Sequence, residues 1–485
     1  MPVHRSKKIW QLMLLIMVSA LIIQMFNPWG VNRIPQAASC GEGCSRYDVV
    51  VVGSELQGVL LAREAQKLGL SVLILDPREK PGGELIQGEM LFLDEPRDKR
   101  HVSLAQGEMK NLLHAYNKGK IRNLQEFQAY YNKLIENLPL KSGIKIHDVE
   151  EAAVNDSHTM KSLTYKDRDQ KAYKLEARYW VENTDFNALT GWLKHKKRIP
   201  GMEVIEKRNS PGYMGATYML NYKNVDWKKL NTEVLKHYPL SNLRKIYGPN
   251  TYVDWNFAVG FSNVMNKFAP LEKSVRLRGL NIANQRGGKV IINGLIIYNV
   301  DPSNDASVKE AMRKGAAEAP RILEYLRSHL PGFEKAEMNV APNYLYIRDF
   351  NRFETDYVLK YEDVMGGKMF WDNVSIGAYP VDLQGTIHIP HGIGFGVTPA
   401  YGIPLRSFLL KEYDNVLAVG KNIGADIKAY GTSRIMANNA LAAQTIGIIL
   451  GHESDRRQLK DLTPEDFRRI HHYLKRKYRI QVERA

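Results

Sequence analysis

At 485 residues the chain exceeds what one hydrophobic core commonly holds, so it has room for two interwoven domains and a sizeable buried ligand. Hydrophobic residues at 44% and charged residues at 25% exclude a disordered or fibrous chain. Lys and Arg number 68 against 52 Asp and Glu, a net charge of +16 that favours anionic lipids, wall polymers and acidic solutes; nucleic acid is set aside, because the basic residues are spread out and no zinc-ligand spacing or aromatic-flanked basic motif accompanies them.

In chain order, His4, Arg5, Lys7 and Lys8 precede the uncharged stretch Ile9 to Phe26, long enough to span a bilayer as a helix. This predicts an N-terminal transmembrane anchor with the basic end inside and the body outside the cytoplasm. Pro28, Gly30, Pro35 and Ala37-Ala38 follow, so a cleaved signal peptide is the competing reading, and no twin-arginine signal is present. The two cysteines, Cys40 and Cys44, lie in the segment CGEGC. They read either as a small disulfide loop suited to an oxidising compartment or as linker residues with no redox role.

Tyr47 to Val52 is a short β-branched apolar run, as in a parallel strand buried on both faces, and Gly53 breaks it. Gly58 to Leu68 carries helical spacing that Gly69 ends, and Leu70 to Leu75 is a second buried strand closed by Asp76. Together they form a βαβ unit whose tight first turn aims a helix N-terminus at a pyrophosphate, with Asp76 placed to accept from an adenosine ribose. In the glycine pattern Gly53-Ser54-Glu55-Leu56-Gln57-Gly58, Glu55 stands where the middle glycine lets phosphates approach, and its charge would repel them.

The Pro81-Gly82-Gly83 turn and an amphipathic stretch from Leu112 to Leu138 follow. Strands are predicted over Lys145–Val149, Met160–Tyr165 and Tyr173–Val181. From Asn183 to Arg348 the pattern turns to mixed strands and one strong helix, Ser307 to Leu330, read as an inserted substrate domain. Asn415 to Val419 is a further strand halted by Gly420, and Thr432 or Ser433 is placed to cap a helix running to Leu450. Thr463-Pro464-Glu465-Asp466 opens a last, strongly basic helix, read as solvated or membrane-facing. The predicted organisation is an anchor and linker over 1–46, a nucleotide-binding domain over 47–190 and 346–451, a substrate domain over 191–345 and a basic tail over 452–485.

These pieces resemble the bacterial FAD-dependent oxidoreductase family of the glutathione-reductase-like type, which has a Rossmann core and an inserted domain. The likeness runs from Tyr47 to Gly451. It is carried by the first βαβ unit with Asp76, Gly82 and Gly83, the block His329 to Val364, and the block Tyr401 to Gly447. It implies an α/β fold in which an α+β substrate domain is inserted into the FAD-binding core. Gly53, Ser54, Glu55, Gly58, Asp76, Gly82 and Gly83 would line the adenosine and pyrophosphate half. Gly420, Ser433, Arg434 and Ile435 would lie along the flavin, where a helix starting near Ser433 stabilises charge on the reduced ring. Arg434 either adds positive charge there or pairs with a neighbouring acid. The chain departs from the family again where Asn183-Thr184-Asp185 replaces Ala-Thr-Gly.

For chemistry, Tyr379-Pro380-Val381-Asp382 and His388-Ile389-Pro390-His391 precede the flavin block. His388 or His391 is the candidate acid/base, the alternative being loop histidines with backbone hydrogen bonds. Arg348 and Arg352 with Glu354 would either fix an anionic substrate or form a buried ion-pair network. No G-x-S-x-G, H-E-x-x-H, Walker lysine or body cysteine pair is present, which excludes thiol exchange. The expectation is an FAD-dependent oxidoreductase acting on a small molecule at the membrane surface. The runner-up is a flavin-free surface binding protein that kept the fold, and a third reading is an FAD lyase or isomerase with no net redox change.

Overall fold

A computed structural model describes residues 35–453 and 455–483. The anchor predicted over Ile9 to Phe26 lies outside the described residues, and among those described no helix is long and apolar enough to cross a membrane. Strand β1 (Ala38–Gly41) pairs antiparallel with β2 (Cys44–Val52), and a Cys40–Cys44 disulfide closes the hairpin. Val49 to Val52 at the end of β2 are fully buried, as their β-branched apolar run requires. Helix α1 (Leu56–Lys67) then returns the chain to β3 (Val72–Asp76), which pairs in parallel with β2 from Val49↔Val72 to Val52↔Leu75, the predicted βαβ unit.

Helix α2 (Gly83–Ile86) is a single turn. The stretch read as one amphipathic segment is two helices, α3 (Gly107–Asn117) and α4 (Leu124–Ile135). Gly119 with its positive φ interrupts it, and Asn123 and Glu126 form a reciprocal cap that starts α4 afresh. Strand β4 (Leu140–Ser142) extends the sheet beside β3. Strands β5 (Lys145–Val154), β6 (Ser157–Lys166) and β7 (Ala172–Glu182) run past their predicted ends, because antiparallel pairing carries exposed polar residues that hydrophobic pattern does not mark. Strand β7 lies parallel to β2, giving the order β4-β3-β2-β7-β6-β5.

A second, antiparallel sheet is built from β8 (Ala216–Lys223), β9 (Tyr252–Val253), β10 (Phe257–Gly260), β11 (Val275–Asn284) and β12 (Val290–Ile297). Helix α5 (Asp305–His329) covers it, and β13 (Glu337–Met338) joins its edge, for the order β9-β10-β11-β12-β8-β13. Gly315 of α5 sits on the Tyr218 ring so closely that a Cβ would come within 2.2 Å. This layer has its own core, including Leu220, Ile292, Ile322 and Leu326.

The chain then forms β14 (Asn373–Gly377), β15 (Pro380–Leu383), β16 (Ile393–Val397) and β17 (Tyr401–Pro404), with β14 paired to β17 and β15 to β16. Strand β18 (Val416–Ala418) returns to the first sheet parallel to β7. Helices α6 (Ile427–Ser433) and α7 (Met436–Glu453) follow. The helix expected to start at Thr432 or Ser433 is α7, which begins at Met436; those two residues instead end α6, whose own cap is Asp426, accepting from Ala429 N–H at 2.8 Å. Helix α8 (Pro464–Tyr478) opens with the predicted Thr463–Asp466 cap, but the expectation of a solvated tail is corrected. Phe467, Ile470, His471 and Leu474 are buried, and the His471 ring bonds the Asn373 carbonyl at 2.8 Å.

Candidate active site

The site lies at the carboxyl ends of β2, β7 and β18, where three strand-to-helix junctions converge. Gly53, at φ 105°, touches the Asn183 carbonyl, and a Cβ there would come within 2.3 Å of that oxygen. Asn183 also bonds the free helix end: its Oδ1 accepts Gly58 N–H at 2.7 Å. Its amide nitrogen lies 2.7 Å from where a Cβ of Gly420 would stand. Ser54 donates from N–H (3.1 Å) and from its hydroxyl to the Asp76 carboxylate, and accepts from Gly82 N–H at 3.0 Å. Asp76 also accepts Arg78 N–H at 2.8 Å, so the carboxylate expected to receive a ribose is engaged by its own chain.

Glu55 is the N-cap residue of α1 but does not cap its own helix. Its side chain crosses the junction instead, accepting Glu84 N–H at 2.7 Å on Oε2 and Arg78 Nη1 at 3.0 Å on Oε1. The carboxylate rests so tightly on Gly83 that a Cβ there would lie 2.1 Å away. Lys421 Nζ reaches the Ile347 carbonyl at 2.7 Å, Glu84 at 3.0 Å and Asp185 at 3.6 Å, while Arg78 stands 3.7 Å from Asp185. Burial pushes the Glu55 carboxyl up, but Arg78, Lys421 and the Glu84 amide outweigh it and hold the group below the usual carboxylate range. Burial pushes Asp185 up to about 6 against Lys421 and Arg78, and neither of its oxygens has a hydrogen-bond partner. Burial disfavours charge on Lys421, yet Glu84, Asp185 and Glu55 raise its pKa.

Toward the predicted flavin end, Arg434 donates to the Tyr346 hydroxyl (3.4 Å) and the Asp382 carbonyl (3.3 Å), with the Asp382 carboxylate at 3.7 Å; of its two readings, the acid partner is the one present. Helix α7 begins at Met436, so Ile435 lies in the turn before it, and Ser433 Oγ is buried without a partner. Arg348 stacks over Tyr346 at 4.4 Å and donates to the Asn293 amide oxygen at 2.9 Å, which Arg278 also approaches at 3.1 Å. Burial, with Arg278 and Arg434 adding repulsion, lowers the Arg348 pKa to about 9. Arg352 pairs with Asp349 inside the protein, whereas Glu354 faces Lys197 and Lys411 and joins neither arginine.

His391 is exposed on the wall of a cleft of about 630 Å³ that Arg276, Arg278, Tyr298 and Gln384 also line. Its Nδ1 accepts from Arg276 Nη2 at 2.8 Å. His388 is exposed, and its backbone N–H bonds Thr386 Oγ1 at 3.2 Å. Sequence reading missed Arg78, Glu84, Lys421, Arg278 and Tyr346. Glu84 and Lys421 directly follow Gly83 and Gly420, and Arg78 stands two residues after Asp76, so charged residues near the predicted contacts were the available signal. Arg278 and Tyr346 arrive from other elements and left none.

The residues present do not fit a bound dinucleotide in this arrangement. The place a pyrophosphate needs, against Gly83 and the Glu84 amide beside Arg78 and Lys421, is taken by the Glu55 carboxylate. Four carboxyl groups already face two cations there, so two further negative charges would add to an acidic surplus.

No curated protein matches the chain in sequence. Among solved structures, a geranylgeranyl bacteriochlorophyll reductase-like protein from Thermoplasma acidophilum is similar at 12% identity and TM-score 0.39, covering 90% of this chain and 84% of that one. A flavin-dependent brominase (11%, TM-score 0.40, 87% and 83%) and a tetracycline destructase (10%, TM-score 0.40, 88% and 87%) stand at the same distance, too remote to carry an argument. The sequence model of the FAD dependent oxidoreductase family matches residues 48–471, which supports the family and not the glutathione-reductase-like label. That span takes in the second sheet, the first sheet from within β2 onward and every junction of the site, and the chain therefore belongs to the family of FAD-dependent oxidoreductases, enzymes whose cofactor is FAD.

Proposed function

We propose that this oxidoreductase acts on a small anionic molecule admitted through the cleft beside His391. One observation carries the reading: Arg278, Arg348 and Arg434 gather around Tyr346, two of them share the single Asn293 oxygen, and the Nε atoms of Arg278 and Arg434 have no partner. Crowded guanidinium groups with unused donors suit a carboxylate or phosphate, which would relieve their mutual repulsion. In this reading Arg278 and Arg434 offer their free Nε–H groups to the anion, and Arg348 adds its charge beside them. Because a guanidinium only donates, the Arg276 bond occupies the His391 Nδ1 lone pair and fixes the ring proton on Nε2, so His391 offers that N–H to the anion as a hydrogen-bond donor. The test follows flavin bleaching in protein given millimolar FAD, an excess that does not rely on tight binding, as hydroxy acids, amino acids and organic phosphates are added anaerobically. Bleaching by one of these anions that Arg278→Ala abolishes is expected, and bleaching by neutral compounds alone would contradict it.

A second reading, a flavin-free binding protein that kept the fold, is favoured by the seating of Glu55. It predicts an anion-dependent rise in melting temperature with no bleaching.

We place the body at the outer membrane surface, held by the N-terminal segment. The basic residues before Ile9 and the Cys40–Cys44 disulfide support this. A reporter fused after Ala485 should be active only outside the cytoplasm, and activity only inside would overturn the assignment.

A further inference from the structure

We propose that the Glu55 carboxylate is a built-in occupant of the pyrophosphate seat, so that the chain takes up FAD only when Glu55 leaves it. The seat has the chemistry of an anion cradle: a backbone N–H from Glu84, the open face of Gly83, and two buried cations, Arg78 and Lys421. Glu55 satisfies that chemistry from within. It makes a bond to the same backbone amide, an ion pair to the same guanidinium, and contact with the same glycine face. Being part of the chain, it competes at a fixed and high effective concentration.

Two neighbours reinforce the seal. Asn183 Oδ1 takes up Gly58 N–H, the other amide a phosphate would reach at the start of α1. Asp185, its oxygens lacking hydrogen bonds, adds negative charge beside Arg78 and Lys421. Where a ligand must first expel Glu55, the Glu84 amide and Arg78 lose a partner before they gain one, and that exchange is subtracted from affinity. The inference concerns the nucleotide seat alone and does not depend on the anion cleft.

The test is an equilibrium titration of full-length protein with FAD, read by flavin fluorescence, for the wild type, Glu55→Gly and Glu55→Gly/Asp185→Gly. The double variant is expected to bind FAD about a hundredfold or more tighter than the wild type, the affinity ratio equivalent to one buried ion pair, with Glu55→Gly between them. A folded double variant that binds no tighter than the wild type overturns the proposal. The wild type gives an independent reading that needs no variant: its melting temperature is expected to stay unmoved by millimolar inorganic pyrophosphate or micromolar FAD. A rise of several degrees, or FAD retained at one per chain through gel filtration, overturns the proposal as well.

Discussion

Arg78 is the residue on which the buried cluster turns, since it faces Glu55, Asp76 and Asp185 at 3.0 to 3.7 Å with its side chain only 9% exposed. Removing it strands carboxylates in the interior, so Arg78→Ala should lower unfolding free energy by about 3 kcal/mol or more, measured by urea denaturation. A loss under about 1 kcal/mol, the scale of a surface pair, would mean the cluster is solvated. Glu89 gives a pH signature. Burial raises its carboxyl from 4.5 to about 7 against the Asn221 hydrogen bond. The folded pKa lies above the unfolded one, so this group's contribution is fully present below about pH 4.5 and is lost as pH rises through 7. Melting temperature should therefore fall between pH 6 and 8 more steeply in the wild type than in Glu89→Gln, and equal slopes would contradict this. Glu55 was visible in the sequence as a departure from glycine. Its partner was not, because the Glu84 amide is 29 residues away and nothing local pairs them.

At the scale of elements, what could be read in advance was whatever hydrophobic period and punctuation encode. The β2-α1-β3 unit followed from a buried β-branched run, a helical run and Gly69. Helix α7 illustrates the limit: it is buried nearly all round and therefore lacks an amphipathic stripe, so only its flanking residues suggested a start, and they suggested it too early. Helix α8 misled through composition. Its basic residues dominate, while Phe467, Ile470 and Leu474 form the stripe that docks it. The contact between α7 and α1 is testable. A Cβ on Gly447 would stand 2.3 Å from the Leu61 carbonyl, a backbone atom that cannot rotate away. Gly447→Ala should cost about 1–3 kcal/mol by forcing the helices apart, and unchanged stability in thermal denaturation would show that the helices do not pack this closely.

At the scale of the molecule, two sheets with separate cores bring the site's residues together from positions nearly the whole chain apart. Gly53, Asn183 and Gly420 meet at one junction, and Arg278 from the second sheet reaches the Asn293 oxygen shared with Arg348. Motif spacing marked several of the junction residues, and the resemblance that those motifs carry named the family. They did not reveal that the junction closes on itself, because closure depends on the joint placement of Glu55, Arg78, Asp185 and Lys421 from four segments. The family's nucleotide cradle persists here with its seat filled by the chain's own carboxylate. The absorption spectrum of full-length protein purified without added flavin decides the matter: a colourless protein lacking flavin bands is expected, and a yellow protein carrying one tightly held flavin per chain would refute the occupied seat.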